Sequence, residues 1–216
     1  MPDKIKARVS FAAFQYDGFF GDPILNNQRL LPLIQPLYEH LKKWNIRPQD
    51  IKYKNPSTAN DASISFELAM GGLVVHLSHT GFTVNVNNAD WSQAESVSRL
   101  IEGCWKAAEE TVGIKASRHE LQIGMTVVPE GKSQKDITGF FAGPWRLRPT
   151  DELEMCGVIL YTRRGAFVLD KAATNPDAIF AKILSRFEGQ TAFPEMLKQL
   201  YDDEAWLGET LNMDFE

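Results

Sequence analysis

Two glycine-containing turns divide residues 63 to 87 into three short runs of alternating apolar and polar residues. The runs are SISFELAM, LVVHLSH and FTVNV, and the turns are Gly71-Gly72 and Thr80-Gly81. Glycine adopts positive φ angles without a steric penalty, so such turns between alternating runs are a strong signal of β-hairpins. The sequence therefore predicts a three-stranded antiparallel meander at this point of the chain.

Helical periodicity flanks the meander on both sides. An apolar stripe runs from Leu30 to Trp44, and Pro32 and Pro36 predict a kink or a late start of that helix. After the meander, Asp90 and Gln93 have the spacing of a capping box, and Gly113 ends the pattern. The predicted long helix carries one apolar face, made of Ala94, Val97, Ile101, Cys104, Trp105, Ala108 and Val112.

Two further strands are predicted from alternation. The segment YDGFFGDP interrupts a first predicted strand, KIKARVSFAAF, because Gly18, Gly21 and Pro23 break regular structure. The alternating apolar residues of that strand are Ile5, Ala7, Val9 and Phe11. The segment SRHELQIGMTVVP predicts a long strand with one apolar side, made of His119, Leu121, Ile123, Met125 and Val127.

The last third of the chain predicts a hairpin and helices. ELEMCGVILYT and AFVLDKA flank a turn at Arg163-Arg164-Gly165, and KSQKDITGFF has the pattern of a short helix. The segment NPDAIFAKILSRFEG, residues 175 to 189, predicts a helix with Asn175 as its cap, and an acidic final helix starts at Pro194.

This order of elements predicts the α+β class, with a mainly antiparallel sheet and amphipathic helices packed largely on one face. A length of 216 residues fits a single domain, residues 1–216. The alternative is two sub-halves sharing a sheet: residues 1–130 (strand, helix, meander, helix, strand) and residues 131–216 (hairpin and two helices).

Composition excludes several classes of protein. A net charge of −5 argues against a general nucleic-acid binder, and no apolar run is long enough to span a membrane. The first residues have no signal-peptide pattern, and Cys104 and Cys156 are expected to be buried free thiols. We therefore expect a cytoplasmic protein.

The residues from GGLVVHLSHTGFTVNV through the long helix and LQIGMTVVP to ITGFFAGPW show a resemblance to a known family. The stretch, roughly residues 60 to 145, resembles a sporadically distributed, uncharacterised bacterial protein family. The resemblance implies this order of strands and helices and implies no activity.

The histidines do not form a metal-binding motif. His76 and His79 are three residues apart, and because side chains alternate along a strand they are expected to point to opposite faces unless His79 belongs to the turn. No Cys-x-x-Cys or His-Glu-x-x-His motif is present. In RHE, His119 and Glu120 are adjacent strand residues that point apart, which argues against a catalytic pair. We expect no metal and no cofactor.

Four arginines and no lysine lie between residues 145 and 164, in a chain that is acidic overall. Guanidinium groups bind carboxylates and phosphates in a bidentate manner and stack on aromatic rings. We expect an anion- or partner-binding surface made of Trp145, Arg146, Arg148, Arg163 and Arg164. Its target would be an acidic protein segment, a phosphorylated small molecule or the chain's own acidic final helix.

Two classes of function remain open. The absence of a catalytic motif and an open sheet edge or face favour a non-enzymatic binding or protein-interaction module. The alternative is a small-molecule-binding protein or enzyme with a pocket between sheet and helices, lined by Trp44, Trp91, Trp105 and Phe66.

Overall fold

The computed structural model describes residues 4–24, 30–54, 63–68, 71–132, 157–173, 175 and 177–216. Within these ranges the strands are β1 (Ile5–Phe20), β2 (Ile51–Lys54), β3 (Ser63–Leu68), β4 (Leu73–Leu77), β5 (Gly81–Asn87), β6 (Ala116–Pro129), β7 (Val158–Thr162), β8 (Gly165–Lys171), β9 (Ile179–Glu188) and β10 (Met213–Phe215). The α-helices are α1 (Ile34–Leu41), α2 (Ala94–Val112) and α3 (Phe193–Thr210).

The strands form one ten-stranded sheet in the order β2-β3-β4-β5-β1-β6-β9-β8-β7, with β10 paired to β1 outside this path. Hairpin-linked strands pair antiparallel, and β10 pairs parallel with the start of β1. Helices α1, α2 and α3 pack against the sheet. The predicted α+β class with a mainly antiparallel sheet is therefore confirmed.

The predicted meander is present as β3, β4 and β5. Phe66 lies opposite Val75, and Val75 lies opposite Val84, so the apolar residues of three strands fall on one face. All three side chains are buried. The register follows from the alternation, because a slip by one residue would expose this whole set. Strand β2, which precedes the meander, was not predicted.

Helix α2 begins and ends at the predicted signals. The Asp90 carboxylate accepts a hydrogen bond from the backbone N–H of Ser92, and a 3-10 turn at Trp91–Gln93 leads into the helix. Gly113 terminates it with a φ of 70°, a left-handed conformation that glycine adopts readily. Its predicted inner face is confirmed for Ile101 and Cys104, which are buried, whereas Trp105 is half-buried.

A histidine docks α1 onto α2. The His40 Nε2–H donates to the carbonyl oxygen of Leu100 over 3.1 Å, and the His40 ring covers Gly103. A Cβ atom at Gly103 would lie 1.8 Å from the ring, so only glycine permits this approach. Helix α1 begins at Ile34, after a 3-10 turn that contains Pro32, which confirms the predicted late start.

The chain forms two compact units. One unit comprises Ala13–Leu121 and Arg186–Leu197, and we call it the meander unit. The other comprises Met1–Ala12, Gln122–Ser185 and Lys198–Glu216, and we call it the hairpin unit. The single domain and the two sub-halves considered from the sequence both stay predictions.

The predicted helix at residues 175 to 189 is wrong, because this segment is the inner strand β9. Its alternate residues Ile179, Ala181 and Ile183 are buried, which is the period of a strand. The Asn175 side chain accepts a hydrogen bond from the N–H of Asp177, so the predicted helix cap is the start of a turn. Apolar residues at both strand and helix spacings made the pattern ambiguous.

The first strand is also longer than predicted. Strand β1 continues through Gly18 to Phe20, and the chain turns only afterwards. Phe11, expected on the apolar side, is 43% exposed, whereas Phe14 and Tyr16 are buried, so the buried positions change from odd to even along β1. Only glycine fits at position 18 of the strand, because Tyr16 and Trp105 occupy the space that a larger side chain would need.

Other sequence expectations have separate outcomes. Cys104 is a buried free thiol, and burial raises its pKa to about 12, while Cys156 lies outside the described residues. The hairpin at residues 163–165 and the final helix are confirmed, and the short helix expected at KSQKDITGFF lies outside the described ranges. In the described part of the chain, every helix is too short or too polar to cross a membrane.

The close packing at Gly18 gives a testable prediction. A Cβ atom there would lie 2.2 Å from Tyr16 Oη and 2.5 Å from the indole of Trp105. We expect Gly18→Ala to lower the free energy of unfolding by roughly 1–3 kcal/mol, as overpacking does in other cores. Denaturant unfolding measures the change.

Gly21→Ala is the matched control, because the nearest atom to its added Cβ is the Lys115 carbonyl oxygen at 3.6 Å. This substitution should change stability by less than about 1 kcal/mol. Equal losses in the two variants would contradict the steric explanation.

Candidate functional site

The predicted arginine surface is only partly within the described chain. Arg163 and Arg164 form the exposed two-residue turn between β7 and β8. Trp145, Arg146 and Arg148 lie outside the described residues. The proposed cluster of all five residues therefore stays a prediction, and its described part is the arginine turn of Arg163 and Arg164.

The arginine turn has one defined side-chain contact. The Arg164 Nη1–H donates to Gln199 Oε1 on α3 over 2.7 Å, and Gln199 in turn donates to the Asp203 carboxylate over 2.9 Å. Asp203 also accepts a hydrogen bond from Ser185. Among the described residues, no carboxylate lies within ion-pair distance of Arg163 or Arg164, so the acidic final helix reaches the turn only through a neutral amide.

Strand β7, which leads into the arginine turn, exposes apolar side chains on both of its faces. Ile159 is 53% exposed, Leu160 45% and Tyr161 79%. Leu160 lies opposite Phe167, whose ring packs at 4.6 Å against that of Trp206 on α3, itself 45% exposed. An apolar strip thus runs from β7 over β8 to α3.

The two outer strands in the sheet order differ in how their edges are protected. Strand β2 has the sequence IKYK, with Lys52 and Lys54 exposed. Charged side chains, especially lysine, keep an edge strand from pairing with another chain. Strand β7 has the sequence VILYT and carries neither a charge nor a proline. Of the described strands, only β8 pairs with it, so every second residue directs its N–H and C=O groups away from the sheet.

The two histidines of the meander take different roles. His76 lies half-buried on β4, where its Nδ1 is 2.9 Å from the Ser65 hydroxyl oxygen, and burial lowers its pKa. His79 lies buried in the turn before β5 and its Nδ1–H donates to the carbonyl oxygen of Ile24. Across the described ranges, no three histidine, cysteine, aspartate or glutamate residues converge as metal ligands would.

His119 on β6 belongs to a series of hydrogen bonds in the interior of the meander unit. The Trp105 Nε1–H donates to the Tyr16 hydroxyl, and Tyr16 Oη lies 2.7 Å from His119 Nδ1. His119 Nε2 lies 3.0 Å from the carbonyl oxygen of Gly189. The Gly189 oxygen can only accept, so Nε2 carries the proton, Nδ1 accepts from Tyr16, and each group is satisfied.

Burial favours the neutral forms of the two titratable groups in this series of hydrogen bonds. Burial is the main cause that raises the pKa of Tyr16 and lowers the pKa of His119, so both groups stay neutral. The rings of Phe20 and Phe82 pack edge-on against Trp105 at 5.6 and 5.2 Å. Trp105, offered from the sequence as a pocket residue, is half-buried and packs against the core side chains Phe20 and Phe82.

Glu120, adjacent to His119, points to the other face of β6 and contacts two arginines. Arg186 Nε–H donates to Glu120 Oε1 over 3.1 Å, and Arg118 Nε lies 3.5 Å from the same oxygen. Arg118 also lies over the ring of Phe19, 4.2 Å from its centre. Sequence reasoning missed this arginine pair because it placed Arg186 on a helix.

No family model matches the chain, and no curated protein matches it. Among solved structures, that of a rolling circle replication initiator protein from Geobacillus stearothermophilus is similar, at 10% identity over 93% of this chain and 80% of that one. Its TM-score of 0.32 is too low to carry an argument. The resemblance to an uncharacterised bacterial family stays a prediction.

The buried histidine predicts a pH dependence of stability. The pKa of His119 is lowered by burial from its ordinary value of 6.5, so the unfolded chain takes up a proton that the folded chain resists. The contribution of His119 to the free energy of unfolding is then fully present above about pH 6.5, the pKa of histidine in the unfolded chain, and is lost as the pH drops below this value. Urea unfolding between about pH 7.5 and about pH 5 should show this decline.

His40 and His76, whose pKa values are also lowered by burial, contribute with the same sign. His119→Gln should therefore show a shallower loss of stability in acid than the wild-type protein, with a remainder from these two residues. The same pH dependence of the free energy of unfolding in both proteins would show that His119 does not cause the loss of stability in acid.

Proposed function

We propose that the protein is a non-enzymatic interaction module that binds an extended protein segment along β7. The segment would pair with the edge of β7 as an added strand and place acidic residues at the arginine turn. The observation that carries the proposal is an outer strand with exposed Ile159, Leu160 and Tyr161, directly followed by Arg163 and Arg164.

Backbone pairing and side-chain burial would contribute separately. Peptides that add a strand to a sheet gain affinity from main-chain hydrogen bonds and specificity from side chains on alternate positions. Tyr161, with 79% of its surface exposed, offers a large apolar area with one hydroxyl group, as is typical of residues that anchor interfaces. The lack of a protective lysine in β7 supports a role in pairing, because β2 carries that protection.

Charge complementarity selects the kind of segment. The two guanidinium groups of the arginine turn are exposed, and in the described part of the chain neither is neutralised by a carboxylate. A segment that ends in aspartate or glutamate would supply the missing charge, in bidentate contacts that arginine favours. Since these charges are exposed, salt at about 0.1 M and above should weaken the binding.

Selection from a displayed library of random peptides tests the proposal. Selected peptides should show alternating apolar residues with acidic residues at one end. In fluorescence-anisotropy titrations, the double variant Ile159→Lys/Tyr161→Lys should bind such a peptide at least about ten-fold more weakly, because both lysines protect the edge.

Tyr53→Lys is the matched control, because Tyr53 is an exposed tyrosine on the other outer strand. It should leave the affinity unchanged. The charge contribution is tested with Arg163→Glu/Arg164→Glu, which should lose the acidic peptide and gain the same peptide with lysine in place of its acidic residues.

Two results would overturn the proposal. One is equal loss of binding in the β2 and β7 variants. The other is a concentration-dependent dimer in analytical ultracentrifugation that only the β7 variants abolish, since β7 would then pair with a second copy of this chain.

A further inference from the structure

Two arginines in the meander unit are held by a single carboxylate. Arg118 on β6 and Arg186 on β9 both direct Nε to Glu120 Oε1, at 3.5 and 3.1 Å. Because both contacts end at one oxygen atom, the two Nε atoms lie within about 7 Å of each other. Their combined charge exceeds that of Glu120 by one unit, so the cluster carries a net positive charge.

The carboxylate in this cluster is much less exposed than the arginines. The Glu120 side chain is 13% exposed, whereas those of Arg118 and Arg186 are 52% and 49% exposed. Glu120 therefore lies beneath the two guanidinium groups, which face solvent. The Arg118 guanidinium is fixed a second time by the ring of Phe19.

This arrangement leaves donors available. Arg186 donates its Nε–H to Glu120, and the Nε of Arg118 lies within ion-pair distance of the same carboxylate. Within the described ranges, no other carboxylate lies within ion-pair distance of either arginine. No hydrogen bond from an Nη group of Arg118 or Arg186 to another described residue accompanies these contacts, so the Nη–H donors are available to a ligand. An ordinary surface ion pair would join one arginine to one carboxylate and leave no net charge.

We propose that Arg118 and Arg186 form a binding site for a phosphate group, with Glu120 as the residue that positions them. A planar carboxylate is satisfied by the fork of one arginine, whereas a tetrahedral phosphate has enough oxygens to accept from two guanidinium groups in different planes. The ligand class is a phosphorylated small molecule. This site is separate from β7 and does not depend on the proposed function.

Inorganic phosphate is the probe for the test. At constant ionic strength, held with sodium chloride, phosphate should raise the melting temperature of the wild-type protein in a saturable manner, because a ligand that binds only the folded state stabilises it. Isothermal titration calorimetry gives the dissociation constant directly. A response that chloride alone reproduces would overturn the proposal.

Arg118→Lys and Arg186→Lys retain the charge and remove the fork of donors. Each should weaken phosphate binding at least about ten-fold, since an ammonium group cannot replace bidentate contacts. The matched control is Arg163→Lys/Arg164→Lys, which alters two exposed arginines elsewhere and should leave phosphate binding unchanged. Equal effects of the two sets of variants would show a general electrostatic response and overturn the site.

Glu120→Gln separates positioning from charge. It removes a negative charge and so strengthens any diffuse attraction for phosphate, but it replaces the charged anchor of the two guanidinium groups with a neutral amide that holds them more weakly. We expect weaker binding. Unchanged or tighter binding would overturn the positioning role, and comparing melting temperatures without phosphate checks that each variant is folded.

Discussion

The core of the meander unit depends on one directed chain of hydrogen bonds, from Trp105 through Tyr16 and His119 to the carbonyl oxygen of Gly189. Each link fixes the next. The Gly189 carbonyl sets the tautomer of His119, the tautomer sets the direction of the Tyr16 hydroxyl, and the hydroxyl receives the indole N–H. A buried polar group without a partner costs free energy, and loss of one member of this series would leave its neighbours without partners.

Two glycines make this series of hydrogen bonds possible. A side chain at Gly18 would occupy the space of the Tyr16 hydroxyl and the Trp105 ring. A Cβ atom at Gly189 would lie 2.0 Å from the carbonyl oxygen of Ala116, at the start of β6. Close packing thus requires glycine at position 18 within β1 and at position 189 after β9. Strand β6, which buries His119, directs the next residue, Glu120, to its other face and toward Arg118 and Arg186.

The parts of the fold that the sequence predicted are those whose signals are local. The meander has glycine turns between alternating runs, Asp90 caps the 3-10 turn that leads into α2, and Gly113 ends α2. In β6 every second residue from His119 to Val127 is buried, as the alternation indicates. These patterns depend on residues that are close in sequence, so they predict the local structure without knowledge of distant contacts.

The errors arise where distant contacts decide. The segment that forms β9 carries apolar residues at spacings that suit a helix as well as a strand, and pairing with β8 selects the strand. Arg118 and Arg186 are 68 positions apart in the sequence and meet only because β6 and β9 are neighbours in the sheet. The arginine turn, in contrast, could be predicted from the sequence because Arg163 and Arg164 are adjacent.

The parallel pairing of β1 with β10 has a mechanical consequence. Ile5 lies beside Met213, and hydrogen bonds join Ile5 to Asn212, Ala7 to Glu216 and Val9 to Glu216. A stretching force applied between residue 4 and residue 216 would pull these two strands in opposite directions along their own axes. The bonds would then bear the load together as a shear, instead of opening one after another as in a hairpin pulled apart from its open end. Under tension, the hydrogen bonds between β10 and β1 would have to break together before the force reached the other strands of the sheet.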